Sequence, residues 1–378
     1  MLNSKEVAVL KVIQQNPFLS QAEIAHQLNI NRSTIATIIS SLTAKHYLKG
    51  KAYIVNDHYH ICCIGAMNLD RSFHLSDTLY PKTSNPVTST ISVGGVARNV
   101  AENLGRLNQS VALLSLAGRD TEYQLIKERS QAWIGLEFVQ QVDFGRTSSY
   151  TAVLDPQGEM QVAFSDMAIC QQMNREWVLS NKTILKKSRF IIVDLNLAPS
   201  GVETVIQLAR EEKIPLALVP VSGPKMKRLP QDLHGIDWLV VNQDESEDYF
   251  HKTVQTEDDF VDLAHAWLER GVQNIVITRG LKPSIYSCKK MVALKQSPHY
   301  YQPPQAKRIS DVTGAGDSFV AGLVYGILQE LPANEAIHYG LTNAYHTVQT
   351  SATVRQDLDP EHLKQQRQQI GNCRINPL

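Results

Sequence analysis

The chain has 378 residues, 43% of them hydrophobic, and its 37 Lys+Arg balance its 37 Asp+Glu. That length predicts two or three folding units with a core that needs no covalent staples. Five cysteines with no C-x-x-C pair exclude a disulfide framework and a cysteine zinc site, and fit a reducing cytoplasmic setting. No apolar run approaches the ~18 residues of a membrane span and the first residues carry no signal-peptide pattern, so neither membrane nor secretion is expected.

The charge is uneven along the chain. Residues 1–55 carry Lys5, Lys11, Arg32, Lys45, Lys49 and Lys51 against Glu6 and Glu23, a balance of +4 that leaves −4 for the rest. Val7, Leu10 and Ile13 recur at helical spacing, and Pro17 ends that helix. Ser20 to Glu23 is a capping-box pattern before Ile24, Ala25 and Leu28. A third helix turns Ile35, Ile38, Ile39 and Leu42 inward, and its other face shows Arg32, Ser33, Thr34, Thr37, Ser41 and Lys45. Residues 47–55, turning near Gly50, read as a small wing. The segment resembles a winged helix-turn-helix domain. The resemblance implies that residues 1–56 bind DNA, with the third helix in the major groove, and that tight operator binding takes a homodimer.

From residue 58 short apolar strands alternate with amphipathic helices, at 61–66, 111–117, 190–195, 215–219, 238–241 and 275–278. This is the pattern of an α/β domain, over 57–370, with a mostly parallel central sheet. Two polar-edged extended segments, near 71–92 and 146–166, break the pattern and are expected to form a small β lid. The second is a hairpin turning through Asp155-Pro156-Gln157-Gly158. The histidines lack ligand spacing, so no histidine metal site is expected. After His362 the chain reads as a fraying helix end.

The strongest chemical signal is Asp311-Val312-Thr313-Gly314-Ala315-Gly316-Asp317, set before an apolar helix. Gly314, Ala315 and Gly316 leave backbone N–H groups open to an anion, and the helix adds its positive end. Asp317 stands beside that anion as a proton acceptor. Phosphoryl transfer needs both parts.

This motif resembles the second signature of the ribokinase/PfkB-type carbohydrate kinases. Val93-Gly94-Gly95-Val96-Ala97-Arg98-Asn99 resembles the first. The resemblance implies a ribokinase-like three-layer fold and MgATP as phosphoryl donor. Asp317 becomes the general base, with Asn68, Asp70, Gly94, Gly95 and Asn99 on the sugar. Asn242 and Glu245 resemble an N-x-x-E motif whose Glu acts on magnesium through water. Thr278, Gly280 and Asn343 fall at nucleotide-binding positions. Asp311 and Thr313 fall at a monovalent-cation site that would hold K⁺. No Gly-Lys-Ser/Thr phosphate loop occurs.

Within the family, the hairpin with Ser149, Thr151 and Asp166 and the Asp194-Leu195-Asn196 segment are most similar to pseudouridine kinases. This implies a nucleoside base against Ser149, Thr151 and Asp166, a ribose touching Asn196, and transfer to the 5′-hydroxyl. Other nucleosides or sugars are alternatives, as is a ligand-sensing transcription regulator with a kinase-like body.

Overall fold

The computed structural model describes residues 2–16, 19–45, 47–48, 61–306 and 308–375. The chain divides into two compact units, 1–57 and 58–378.

The first unit packs α1 (Ser4–Gln15), α2 (Gln21–Leu28) and α3 (Arg32–Ala44). Two capping boxes start its first helices, Asn3 with Glu6 and Ser20 with Glu23, the second as its sequence pattern predicts. Asn29 ends α2 in the left-handed region, at φ 51°. The core is Val9, Val12, Ile24, Ala25, Ile35, Ile38 and Leu42. The phase of α1 differs from the expected one: Val7 is 50% exposed and Glu6 is buried instead.

The reason is an ion pair. Glu6 accepts from Lys45 Nζ and from Ser41 Oγ, each at 2.7 Å. These donors, Lys45 foremost, hold the Glu6 carboxyl down at about 2. Ser41 and Lys45 therefore turn toward α1 and leave the outward face of α3. That face keeps Arg32, Ser33, Thr37 and Ser40 exposed. Apart from Tyr47 and Leu48, the expected wing lies outside the described residues.

The second unit is built on a ten-stranded sheet. Its strands, with those of the lid, are β1 (Ile61–Ile64), β2 (Asn68–Leu75), β3 (Val87–Gly94), β4 (Val111–Gly118), β5 (Val139–Val142), β6 (Ser148–Leu154), β7 (Met160–Asp166), β8 (Phe190–Asp194), β9 (Leu216–Val219), β10 (Trp238–Asn242), β11 (Asn274–Arg279), β12 (Lys282–Cys288), β13 (His299–Tyr301) and β14 (Arg374–Ile375). The large sheet runs β14-β13-β12-β11-β10-β9-β8-β1-β4-β5. From β5 to β11 every pairing is parallel, and β12 to β14 are antiparallel.

Strand periodicity sets up the three layers. Cys62 and Ile64 of β1 join one core, while Ile61 and Cys63 join the other. In β8, Ile191 and Val193 divide from Phe190 and Ile192 in the same way. A strand buried on both faces reads as a continuous apolar run because each face meets a helical layer. Helices Pro199–Glu212 and Glu257–Glu269 cover one face; Val96–Arg106, Ala315–Leu328 and Ala333–Thr347 cover the other.

The C-terminal segment does not fray. It forms helix Pro360–Ile370, and β14 then adds to β13, so the folded unit runs past residue 370. The Cys373 N–H donates to His338 Nε2 at 3.0 Å and anchors the turn between them.

The lid is a separate four-stranded sheet, β3-β2-β6-β7. Its strands extend beyond the expected limits, because β2 begins at Asn68 and β3 ends at Gly94, in register with each other. Asn68 is also in register with Ser148 of β6. The lid is thus continuous with the loops at the carboxyl ends of the large sheet, where ligands of open α/β sheets sit.

Candidate active site

Parallel strands end together, and their C-terminal loops bring distant residues to one place. After β1, the loop through Gly65 and Ala66 leads to Asn68 and Asp70. Asp194, at the end of the neighbouring β8, holds this loop: its buried carboxylate accepts from Ala66 N at 3.0 Å, Ala97 N at 3.1 Å and Asn196 N at 2.7 Å. Burial pushes the Asp194 carboxyl above its ordinary value. Its donors show what it does: it fastens two loops and a helix start.

Gly95 begins helix Val96–Arg106 at φ 100°, where a side chain would run into the Ala66 carbonyl. Gly94 leaves room for the Asp70 carboxylate, whose Oδ1 accepts a short hydrogen bond from Asn68 Nδ2. Burial lifts the Asp70 carboxyl to about 6.

The anion loop lies across from these residues. Gly314 adopts φ 79° against the Thr353 carbonyl and starts helix Ala315–Leu328 with no side-chain cap. The Ala315 N–H is taken by Val312 O at 3.2 Å, which removes it from the expected anion donors. The described backbone hydrogen bonds leave the N–H groups of Gly316 and Asp317 without a partner. A Cβ built on Gly316 meets nothing within 4 Å, so the approach to these donors is open. Free donors at an open helix start fit a phosphate.

Asp317 is partly exposed and accepts from Asn99 Nδ2 at 2.8 Å. Its carboxyl is pushed up to about 7, first by burial and then by Asp194 and Asp70, while Asn99 and Arg98 oppose the shift. A carboxylate poised near neutrality suits proton abstraction. Asn99, expected on the sugar, has its Nδ2 on this carboxylate.

The lid residues require a correction. Successive strand residues face opposite ways, and registered partners face the same way. Asp70 pairs with Tyr150, and Tyr150 with Ser165. Ser149 pairs with Leu69 and Asp166, and Thr151 with Arg71. Tyr150 and Ser165 therefore share the face of Asn68 and Asp70, whereas Ser149, Thr151 and Asp166 lie on the other. On that face Arg71 of β2 reaches Glu122 of helix Thr121–Ser130 at 3.0 Å.

Asn196 is 2% exposed, and its Oδ1 accepts from Lys225 Nζ. Lys225 is the residue sequence reasoning missed on this wall. It lies on the 3-10 turn Gly223–Arg228, three residues after Ser222, and its lysine-rich surroundings read as an ordinary surface turn. Arg228 donates to the carbonyls of Leu195, Asn196 and Leu197 and fixes the same loop.

At the end of β10, Asn242 and Glu245 form a capping box, with bonds of 2.9 and 2.7 Å, at the start of helix Gln243–Phe250. Glu245 is buried, which raises its carboxyl, and Oε2 serves as the cap. Thr278 is in register with Asn242, and Gly280 turns at φ 61° into β12. Among the described residues no cluster of three or more His, Cys, Asp or Glu could hold a metal ion. Asp311 and Thr313 are exposed; Asp311 Oδ1 accepts from Thr313 N at 2.8 Å, and Ser310 N ties the loop to Val348 O.

Asn343 does not line a pocket. It is 0% exposed, donates to Asn103 Oδ1 and Ser318 O, each at 2.9 Å, and accepts from Arg355 at 3.0 Å. Its amide is spent in a buried network joining three helices to the 349–358 segment. Asn343→Leu is expected to destabilise the protein by ~2–4 kcal/mol in urea unfolding, because three buried partners lose their mate. An unchanged stability with a raised KM for ATP would restore the nucleotide-binding role.

The sheet, the lid and the carboxylate beside an open helix start define a ribokinase-like small-molecule kinase. Residues 59–359 match the pfkB family of carbohydrate kinases, and the chain belongs to that family. Residues 2–49 match a winged helix-turn-helix DNA-binding family. The chain is 28% identical over 345 residues to the Escherichia coli protein named uncharacterized sugar kinase YeiI, covering 91% of this chain and 93% of that one. Coverage that wide reaches into residues 1–57. It is 27% identical over 281 residues to the E. coli pseudouridine kinase, covering 74% and 87%. A carbohydrate kinase from Agrobacterium tumefaciens superposes with TM-score 0.70 at 26% identity, covering 82% and 96%. Arabidopsis thaliana ribokinase, solved with ribose and ATP, shares the fold with TM-score 0.71 at 16% identity, covering 81% and 98%. Among the described residues no helix is long and apolar enough to cross a membrane.

Proposed function

We propose that this kinase transfers the γ-phosphoryl group of ATP to the 5′-hydroxyl of a ribonucleoside, with pseudouridine as its best acceptor. The observation that carries the chemistry is Asp317, near neutrality, beside the unpartnered N–H groups of Gly316 and Asp317. Asp317 takes the hydroxyl proton. The two N–H groups and the helix start offset charge on the moving phosphoryl. Asn68, Asp70 and the backbone at Gly94 and Gly95 hold the ribose. Tyr150, Ser165 and the Lys225–Asn196 pair face the base. Glu245 acts on magnesium through water, and Asp311 with Thr313 takes K⁺. Two copies pair through the lid face of Arg71 and Thr151 beyond helix Thr121–Ser130, where Ile91 and Phe164 are 43% and 61% exposed.

The test is a panel of pseudouridine, uridine, inosine, ribose and fructose with MgATP. Pseudouridine is expected to give the highest kcat/KM, because a pocket with polar groups for a base leaves them unpaired on a bare sugar. A higher value for ribose or a hexose assigns the enzyme to sugars.

The winged-helix match supports a second activity, DNA binding by residues 1–56. Arg32→Ala, at the exposed start of α3, should weaken a specific duplex complex by ~1–3 kcal/mol if it reads a guanine. Lys45→Ala should instead loosen the unit, because it strips Glu6 of its cation. Selection of a random duplex pool with the full chain, followed by binding titrations and melting of both variants, checks this. Failure to enrich any sequence removes the second activity.

A further inference from the structure

Helix Val96–Arg106 carries a buried arginine that the reaction as outlined leaves without a task. Arg98 is 2% exposed. Its guanidinium donates to Ser130 Oγ at 3.1 Å, to Val93 O at 3.4 Å and to Asn99 Oδ1 at 3.0 Å, and pairs with Glu102. The Asn99 contact bears on the base. An amide has one accepting end and one donating end. With Oδ1 committed to Arg98, the Nδ2 end must face the other way, and it meets Asp317 Oδ2 at 2.8 Å.

We infer that Arg98 is a positioning residue for phosphoryl transfer: it locks the Asn99 amide in the orientation that holds the Asp317 carboxylate in place. The inference rests on Asp317 as the base. Without the guanidinium, Asn99 can turn its oxygen toward Asp317, and a donor becomes an acceptor facing a carboxylate. The clamp also binds the carbonyl of Val93, next to Gly94, so the last turn of the lid strand and the base share one anchor. A buried arginine is costly to keep unless fully paired. Here each contact is made, and Glu102 has a second partner in Arg106 at 2.8 Å, so it stays compensated when Arg98 is replaced.

The groups facing Asp317 are Asn99 and Arg98 from this helix, Asp194 from β8 and Asp70 from β2. Removing Arg98 takes away a cation and misdirects the amide, and both changes favour the protonated base. The acid limb of the pH profile then moves upward.

The experiment uses the full chain with MgATP and pseudouridine, or the best acceptor of the panel. Arg98→Met is expected to lower kcat by ~10–10²-fold, with KM within about threefold, the loss expected when a reacting group is misplaced. Its acid limb should rise by about half a unit or more. Combined with Asn99→Ala, it should cost clearly less than the product of the two single losses, since both break one chain of contacts. Arg98→Lys keeps the charge near Glu102 but cannot span all four partners, and should show the same shifts in smaller degree if the Met variant fails to fold. A folded variant with an unmoved acid limb overturns the inference, as do losses that multiply in the double variant. Asp317→Asn in the same assays separates the two readings. An active Asp317→Asn enzyme discards the base itself. An inactive one beside an unaffected Arg98 variant discards only the clamp.

Discussion

Asp317→Asn is expected to lower kcat by ~10²–10⁴-fold while leaving acceptor affinity nearly unchanged, because the amide keeps the volume and loses the proton acceptor. The same substitution should make the ligand-free protein more stable. The folded Asp317 carboxyl sits at about 7 against an ordinary 3.8. Between those pH values the folded chain keeps a proton that the unfolded chain has released. Stability therefore falls as pH rises through this window, and the full cost is present above pH ~7. An asparagine accepts the same bond from Asn99 without carrying the charge. A gain on the order of 1–3 kcal/mol is expected at pH 8, shrinking toward nothing near pH 4. Kinetics and thermal melts at pH 4, 6 and 8 check both halves. A variant that turns over normally, or that melts lower at pH 8, contradicts this account of the site.

Gly316→Val should abolish ATP use without harming the fold. Nothing within 4 Å opposes a Cβ there, and Gly316 is absent from the positive-φ glycines, so a valine fits without strain. Its methyl groups would stand where an anion must approach the N–H groups of Gly316 and Asp317. The expected result is a fall in kcat/KM for ATP of ~10²-fold or more, the scale of losing an oxyanion donor. The unfolding free energy should stay within ~0.5 kcal/mol of the parent. Gly95→Val serves as the contrast, since its φ of 100° and the Ala66 carbonyl make any side chain destabilising. Retained ATP use in the Gly316 variant would place the phosphates elsewhere.

These residues also show how far the sequence can be read. The alternation of apolar strands and helices was visible because buried parallel strands are apolar at every position. The anion loop was visible because glycines before a helix, followed by an acid, have few other uses. Three things depended on information that a linear pattern lacks. The phase of α1 was set by Glu6 reaching Lys45, 39 positions away. The face of each lid residue was set by pairing register, and a one-residue difference in register exchanges Ser149 for Tyr150. The fate of Asn343 was decided by Arg355 and Asn103, which only tertiary packing brings to it. Polar residues at strand and helix ends look alike in sequence whether their partner is a ligand or a neighbouring side chain.

Asn68 and Gly94 are the paired terminal residues of two lid strands, and in the proposed function they also hold the ribose. Cover and grip are thus one piece of chain, spanning β2 and β3 and registered to β6. A change of acceptor is therefore expected to alter 68–94 and 148–166 together with the 196–225 wall that carries Asn196 and Lys225, and a chimera that exchanges all of them should inherit the donor preference of one parent and the acceptor preference of the other.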